Sequence, residues 1–394
     1  MTAKALVGGV GMIKFKKPGE NEGYEVMSEK AIRLALEDAG IAIDDIQQAY
    51  ASYCYGDSAN GQSGFYRVKR TGIPIFNVNN NCASGSNALF LARQAVESGM
   101  ADCVIAYGFE QMVPGALTSH WTDRYSPAIP VFESLVELNP DIPRDVPGAP
   151  AMFGCAGFEY CNEYGADPSI FAEVAVKTRK HAQQNPYALF TDDITVEDVM
   201  RSKTIVPPSL TRLMCCPPTC GAAAAIIVSE SFARQRGISR TVRILGQGMA
   251  SDGEAQLTSS RNIVGLDMTR RASKKAYEMA GLGPEDVQVV ELHDCFTPNE
   301  VVTYEGLGLC GEGEATRFIA DGDNTYGGKF VVNPSGGLMS KGHPIGATGL
   351  AQCTELVWHL RGDAEARQVE GARIALQHNI GIPGSCVVTL YEAA

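Results

Sequence analysis

Cys82 and His343 occupy matching settings in two distant parts of the chain. The cysteine lies in Asn81-Cys82-Ala83-Ser84-Gly85 and the histidine in Gly342-His343-Pro344-Ile345-Gly346, each where a loop enters an apolar, Gly/Ala-rich helix. Together they offer a nucleophile and the base that would activate it. Only the thiolate attacks, and an ordinary thiol with a pKa of about 8.5 is a few per cent ionised at neutral pH. The start of a helix, with its unpaired N–H groups and the positive end of the macrodipole, favours the charged form. The sequence therefore predicts a Cys82 thiol that ionises readily, and a His343 side chain, set in a turn by Gly342 and Pro344, that takes up its proton. Cys103, Cys353 and Cys386 lie inside apolar elements and read instead as small buried hydrophobes. Two more histidines end predicted strands: His293 in Leu292-His293-Asp294-Cys295-Phe296, and His378 in Gln377-His378-Asn379-Ile380-Gly381. Strand ends are where open α/β sheets place ligand sites, so four reactive side chains are expected along one edge.

These residues meet only if the two ends of the chain fold against one another, and an internal repeat provides for that. Sliding the chain against itself aligns Gly85-Ser86-Asn87-Ala88-Leu89 with Gly346-Ala347-Thr348-Gly349-Leu350 and superposes Cys82 on His343. Upstream, Ala35-Leu36-Glu37-Asp38-Ala39-Gly40-Ile41 echoes Ala276-Tyr277-Glu278-Met279-Ala280-Gly281-Leu282; both read as a helix, a glycine stop and a following strand. Val7-Gly8-Gly9-Val10-Gly11-Met12 likewise matches Ile244-Leu245-Gly246-Gln247-Gly248-Met249, and apolar strands at 103–108 and 374–379 lie behind the paired helices. The order strand, helix, strand, helix, strand thus occurs twice, and so long a period marks one duplication rather than a solenoid. The expected class is α/β: two pseudo-symmetric βαβαβ halves at 1–112 and 241–394, each on a mostly parallel sheet, with an inserted loop domain over 113–240. In the insert, prolines cluster at 127, 130, 140, 143, 147 and 150, and helical patterns run around 170–184 and 196–202. It reads equally as a dimerisation element or as a lid that shapes a substrate surface.

At 394 residues and 45% hydrophobic content, the chain can bury the cores of two or three domains. A formal net charge of −12 with no dense Lys/Arg stripe argues against nucleic acid and acidic membrane surfaces, so a polyanionic ligand would need local basic residues. The first residues lead directly into a strand without a signal-type apolar region, so the twelve cysteines are expected as reduced thiols. No stretch approaches the roughly 18 uncharged apolar residues of a membrane span. Tyr391-Glu392-Ala393-Ala394 differs from a Ser-Lys-Leu peroxisomal address; a cytoplasmic location is expected, the peroxisome staying open for a eukaryotic chain.

Other signals carry plainer readings. Gly9-Val10-Gly11 lacks the third glycine of a dinucleotide fingerprint, because Lys14 stands in its place. Cys215-Cys216-Pro217-Pro218-Thr219-Cys220 has no second Cys/His pair at zinc-ligand spacing, so no metal is expected and the segment reads as a turn before an apolar strand at 222–228. Glu110 and Glu300 read equally as neighbours of the site and as structural acids.

Taken in order, Asn79-Asn80-Asn81-Cys82-Ala83-Ser84-Gly85, His293-Asp294-Cys295-Phe296, Asp323-Asn324-Thr325-Tyr326-Gly327-Gly328-Lys329, Asn333-Pro334-Ser335-Gly336-Gly337, the His343 motif through Gly349, and Gln377-His378-Asn379-Ile380-Gly381 form a recognisable set. Over essentially the whole chain it resembles the thiolase superfamily, and more narrowly the SCP2-type (sterol carrier protein x) thiolases. The resemblance implies the thiolase fold, two halves in a five-layered αβαβα core with a loop domain inserted in the first. It implies a homodimer or dimer of dimers, coenzyme A as a co-substrate without a resident cofactor, and a separate SCP2-type or hydratase protein as a partner. Carried over residue by residue, Cys82 is the acyl-accepting nucleophile, His343 its base, and His293 replaces an Asn that helps to bind the thioester oxygen. The more familiar thiolases have a Cys-x-Gly cysteine near the C-terminus, where this chain has His378-Asn379-Ile380-Gly381; the acid/base thiol then falls to Cys295. Gly381 would join the Cys82 N–H in holding an oxyanion, with His378 and Asn379 beside it.

The implied activity is acyl transfer: a 3-ketoacyl-CoA is cleaved by CoA through an acyl-Cys82 intermediate, releasing acetyl-CoA or propionyl-CoA. Branched, long-chain or steroid side-chain acyl groups are the implied substrates, as in fatty acid β-oxidation and steroid degradation. Two other readings stay open, a non-catalytic lipid- or acyl-CoA-binding protein and a condensing or aldolase enzyme on the same fold. Thiolase-like steroid aldolases, as a family, lack this histidine set. Contacts to the CoA phosphates stay open among Lys203, Arg212, Arg261 and Lys341.

Overall fold

The computed structural model describes residues 4–393, apart from 116, 118–120 and 143–144. The first half builds β1 (Ala5–Met12), β2 (Gln48–Ser52), β3 (Ile75–Val78) and β4 (Cys103–Glu110). A hairpin of β5 (Thr204–Val206) and β6 (Leu210–Thr211) precedes β7 (Gly221–Ser229). The second half supplies β8 (Val242–Ala250), β9 (Val289–Glu291), β10 (Val331–Val332), β11 (Ile374–Gly381) and β12 (Ser385–Ala393). All but the hairpin join one sheet in the order β10-β9-β11-β12-β8-β1-β7-β4-β2-β3. Outward from its centre the order is the same on both sides, and among the described residues only Leu6 and Val7, opposite Arg243 and Val242, pair across the junction. The duplication extends to defects: Gly8 in β1 and Leu245 in β8, aligned by the repeat, are each the extra residue of a β-bulge.

Glycines set how closely the layers approach. Helix Tyr24–Ala39 covers the outer face of the first half and Leu266–Ala280 that of the second. A Cβ on Gly9 would lie 2.7 Å from the Cβ of Ala39, and one on Gly246 would lie 2.9 Å from the amide nitrogen of Ala280. Gly9-Val10-Gly11 therefore serves helix–sheet packing. Between the half-sheets, helices Ser84–Glu97 and Thr348–Arg361 pack on one another, and one apolar cluster joins Leu89, Val96, Leu350 and Val357 to Val7 and Ala225 of one half and Ile244 and Ala375 of the other. The layers are helix, sheet, helix pair, sheet, helix. A Cβ on Gly85 would meet the Gly346 carbonyl oxygen at 3.0 Å, so the two central helices begin almost in contact and Cys82 is carried to His343.

The structure departs from the sequence reading in two respects. Each half has five strands rather than three, and the sheet is mixed rather than mostly parallel, because β7 and β12 run antiparallel to both of their neighbours. A hairpin return needs only a short turn, and β12 follows β11 through one. Second, β7 falls inside the segment assigned to the insert, 113–240, yet is wholly buried between β1 and β4. Its Ala- and Ile-rich sequence suits a strand covered on both faces. The part that stands outside the sheet comprises helices Ile129–Leu138, Gly148–Tyr164, Ser169–Ala182 and Val196–Arg201 with the β5–β6 hairpin. It packs on the second half: Tyr160 donates to Glu305 at 2.8 Å, and Phe153 stacks on Phe296 at 4.7 Å.

Candidate active site

Cys82 sits on a tight turn built by asparagines. Asn81 adopts a left-handed φ of 50°, a conformation that Asn tolerates, and its amide donates to the Pro383 carbonyl at 2.9 Å. Ser84 closes the turn: its hydroxyl accepts from the Asn80 N–H at 2.8 Å and donates to the Asn81 carbonyl at 2.6 Å. Gly381, the last residue of β11, backs onto the same turn. A side chain there would strike the Asn80 carbonyl oxygen and stand 3.1 Å from the Cys82 nitrogen.

His343 faces Cys82 across the join between the halves. Its ligating atom, the Cys82 sulfur and that of His293 lie within 4.8 Å of one another. The two imidazoles stand perpendicular, 5.0 Å between centroids. Their neighbours make them chemically different. Thr348 donates its hydroxyl proton to the Pro344 carbonyl at 3.0 Å, so toward His343 Nδ1, 2.7 Å away, it acts as an acceptor. His343 therefore carries its proton on Nδ1, and its buried, unpartnered Nε2 offers a lone pair. Around His293 the pattern reverses: the Asn379 amide donates to Nδ1 at 3.0 Å, leaving the proton on Nε2. His343 thus presents a bare ring nitrogen and His293 a ring N–H.

The electrostatics depart from the expected thiolate. Burial, aided by the Glu110 carboxylate, pushes the Cys82 thiol up to about 12, and its own backbone N–H, turned toward the sulfur, offsets little of that. Burial also holds His343 down to about 3 and His293 well below the usual range. The resting pair is thus a neutral thiol beside neutral imidazoles, because among the described residues no cation stands near to repay desolvation of the anion.

His378 does not reach Cys82. Its Nδ1 accepts the His293 backbone N–H at 3.4 Å and its Nε2 meets Thr269 Oγ1 at 3.0 Å, so it stands behind His293 and supports it. Three of the four expected groups converge. Cys295 is buried just before helix Thr297–Gly306, and burial together with the nearby Cys216 and Cys82 thiols pushes its pKa well above the usual value. The segment read as a plain turn is part of this site: Cys216 donates its N–H to the Cys295 carbonyl at 2.9 Å, and Thr219 Oγ1 accepts the His343 N–H at 3.1 Å. Such contacts between distant segments leave no local signal. Glu110 is also placed: fully buried, it accepts the N–H groups of Cys54, Tyr55 and Gly346 at 3.0, 2.9 and 3.0 Å. Burial raises its carboxyl to about 7 despite those three donors. Glu300 lies elsewhere, on Lys177 and Tyr304.

Of the four basic residues considered for phosphates, two are already engaged. Lys341 is buried between Glu291 and Glu355, at 3.8 and 3.6 Å, and buried Arg261 is held by Glu159 and Glu163. Lys203 and Arg212 are exposed and adjacent, the Arg212 N–H donating to the Lys203 carbonyl at 2.8 Å.

The chain is similar to known proteins over nearly its whole length. Residues 10–231 match the family model described as thiolase, N-terminal domain, and residues 249–391 match thiolase C-terminal domain-like. Sterol carrier protein 2 from Bos taurus is 49% identical over 397 residues, spanning 99% of this chain and 72% of that protein. The benzoylsuccinyl-CoA thiolase subunit BbsB of Thauera aromatica is 36% identical over 97% of this chain and 95% of its own length. Among solved structures, an Ltp2-ChsH2(DUF35) aldolase superposes with a TM-score of 0.81 at 25% identity, covering 98% of this chain and 97% of the other.

Proposed function

This chain belongs to the thiolase family, and on that premise we propose that it cleaves a lipid 3-ketoacyl-CoA with CoA through an acyl-Cys82 intermediate. The observation that carries the reading is the meeting of the Cys82 sulfur with the imidazoles of His293 and His343 within 4.8 Å. His343 Nε2 takes the thiol proton as the sulfur attacks the 3-keto carbon. The N–H groups of Cys82 and Gly381 hold the resulting oxyanion, each such donor being worth about 100- to 1000-fold in rate. The Cα–Cβ bond then breaks, and its electron pair leaves as the enolate of acetyl-CoA or propionyl-CoA, held by His293 Nε2–H and the protonated His343. Cys295, kept protonated by burial, gives its proton to the enolate carbon, a contribution of about 100- to 10,000-fold. Incoming CoA returns a proton to Cys295, its sulfur attacks the acyl-Cys82 carbonyl, and Cys82 leaves to recover the proton from His343.

Similarity to sterol carrier protein 2 supports a branched, long-chain or sterol-derived acyl group, and the exposed Lys203–Arg212 pair is the proposed contact for CoA phosphates. The insert, through Phe153 on Phe296, is the proposed wall of the acyl pocket, and the division into two halves and an insert is proposed with the insert ending before β7. A dimer is supported by the open edge strand β3, whose Phe76 is 49% exposed. The word subunit in the name of BbsB and the DUF35 component of the aldolase support a further protein partner. A cytoplasmic setting is kept as a proposal; no helix among the described residues is long and apolar enough to cross a membrane.

The test is to incubate the protein with a 3-ketoacyl-CoA and no free CoA. An acyl mass on the Cys82 peptide, absent from Cys82→Ala, is expected. An unmodified peptide under conditions that support turnover refutes the mechanism, and CoA-independent release of a carbonyl fragment would assign the protein to aldol cleavage.

A further inference from the structure

The cluster that carries the proposed chemistry is also a set of metal ligands. Cys82, His293 and His343 offer one thiol sulfur and two imidazole nitrogens, all within 4.8 Å of one another. In tetrahedral zinc sites with Zn–S near 2.3 Å and Zn–N near 2.0–2.1 Å, neighbouring donors stand roughly 3.3–3.6 Å apart, so small side-chain rotations would gather these three. On the opposite ring positions Thr348 Oγ1 already accepts from Nδ1 of His343, whereas the Asn379 amide, 3.0 Å from Nδ1 of His293, must turn to do the same. Metal-bound histidines are oriented by such hydrogen bonds on the opposite ring nitrogen. His343 is 6% exposed, and its buried Nε2 has no hydrogen-bond partner. A donor buried with nothing to bind is costly to maintain and ready to ligate.

We propose that Cys82, His293 and His343 form an inhibitory binding site for a borderline-soft divalent cation, zinc above all, that competes with acylation. The sulfur binds as a thiolate: the Cys82 proton passes to solvent as the Zn–S bond forms, with no change of oxidation state. Ligation through Nε2 requires His293 to move its Nε2 proton to Nδ1 and the Asn379 amide to turn its oxygen toward that nitrogen. Asn379 Oδ1, buried and without a partner, is available for that exchange. Three protein ligands leave the fourth position open, on the side where Cys82 is accessible. An acyl group on Cys82 removes the sulfur from the set, so metal and acyl intermediate exclude each other.

Titration of the metal-free protein with Co2+ in the absence of any substrate tests this. A thiolate-to-cobalt charge-transfer band with the intense visible bands of a tetrahedral site should grow to one equivalent and be displaced by Zn2+. Cys82→Ala should abolish the charge-transfer band, whereas Cys54→Ala and Cys216→Ala, which remove neighbouring thiols outside the set, should keep it. Thr348→Val should weaken Zn2+ binding about 10- to 100-fold, the usual cost of losing such a support. A wild-type protein without the band, or a band that survives in Cys82→Ala, overturns the proposal. Circular dichroism of Cys82→Ala guards against misfolding, and because no substrate is used, failure here leaves the thiolase reading standing.

Discussion

The loops that present Cys82 and His343 are copies of one device, and they differ most in what stands beneath them. Under the His343 loop, the end of β4 places Glu110, whose carboxylate accepts the Gly346 N–H and two N–H groups of the loop after β2. Continuing the match of β4 with β11, the position equivalent to Glu110 is Gly381, under the Cys82 loop. There no side chain exists, and none fits: a Cβ would strike the Asn80 carbonyl oxygen and crowd the Cys82 nitrogen. One copy fills the space with an anchor and the other leaves it vacant beside Cys82. Under the proposed chemistry the anchor holds the His343 loop still, and the gap leaves room beside Cys82 for the oxygen on which charge develops.

Four substitutions would break or sharpen that comparison. His343→Gln keeps the volume and removes the base, so kcat for CoA-dependent cleavage should fall about 100- to 10,000-fold, with Tm nearly unchanged. Gly381→Ala gives the Cys82 loop a side chain where only the His343 loop has one; a loss of about 100- to 1000-fold in kcat is expected if the N–H groups there hold the oxyanion. A loss confined to KM would show that the gap serves binding instead. Thr348→Val removes the acceptor that fixes the His343 proton on Nδ1, and should lower kcat about 10-fold, rescued by Thr348→Ser.

Glu110→Gln tests the anchor and should cost least in rate. Gln offers one acceptor oxygen in place of two, so at least one buried N–H loses its partner, at about 1–3 kcal/mol in urea unfolding at pH 5. The difference should then vary with pH in a fixed direction. Burial raises the Glu110 carboxyl from 4.5 to about 7, so the folded state binds a proton more tightly than the unfolded chain. The wild type therefore loses stability relative to Glu110→Gln as pH rises from 4.5 to 7, by about 3 kcal/mol in all, and loses nothing more from this group above that. A difference independent of pH would show that Glu110 is ionised throughout.

Much of this was legible before the structure. The repeat that superposes Cys82 on His343 follows from aligned glycines, and the same glycines reappear as contact points between β1, β8 and their covering helices. Helical patterns in the insert correspond to Ser169–Ala182 and Val196–Arg201. The apolar run that forms β7 reads locally as part of the insert, since nothing local says that Gly221–Ser229 passes between β1 and β4. By sequence His378 goes with His293, because both end strands. Only packing shows that its two nitrogens are engaged by the His293 backbone and Thr269. The Cys82 thiol was expected to ionise from its place at a helix start, yet burial without a cation outweighs the helix.

By itself, the sequence determined the duplication, the residue types at the chemistry and the glycines that permit close approach, because these are properties of spacing and side-chain size. The tertiary structure alone decided which nitrogen of each histidine carries the proton, which cysteines gather at the nucleophile and how costly charge is there. Those depend on Thr348, Asn379, Cys216 and Glu110 arriving from separate segments, and on the exclusion of water that only their packing produces.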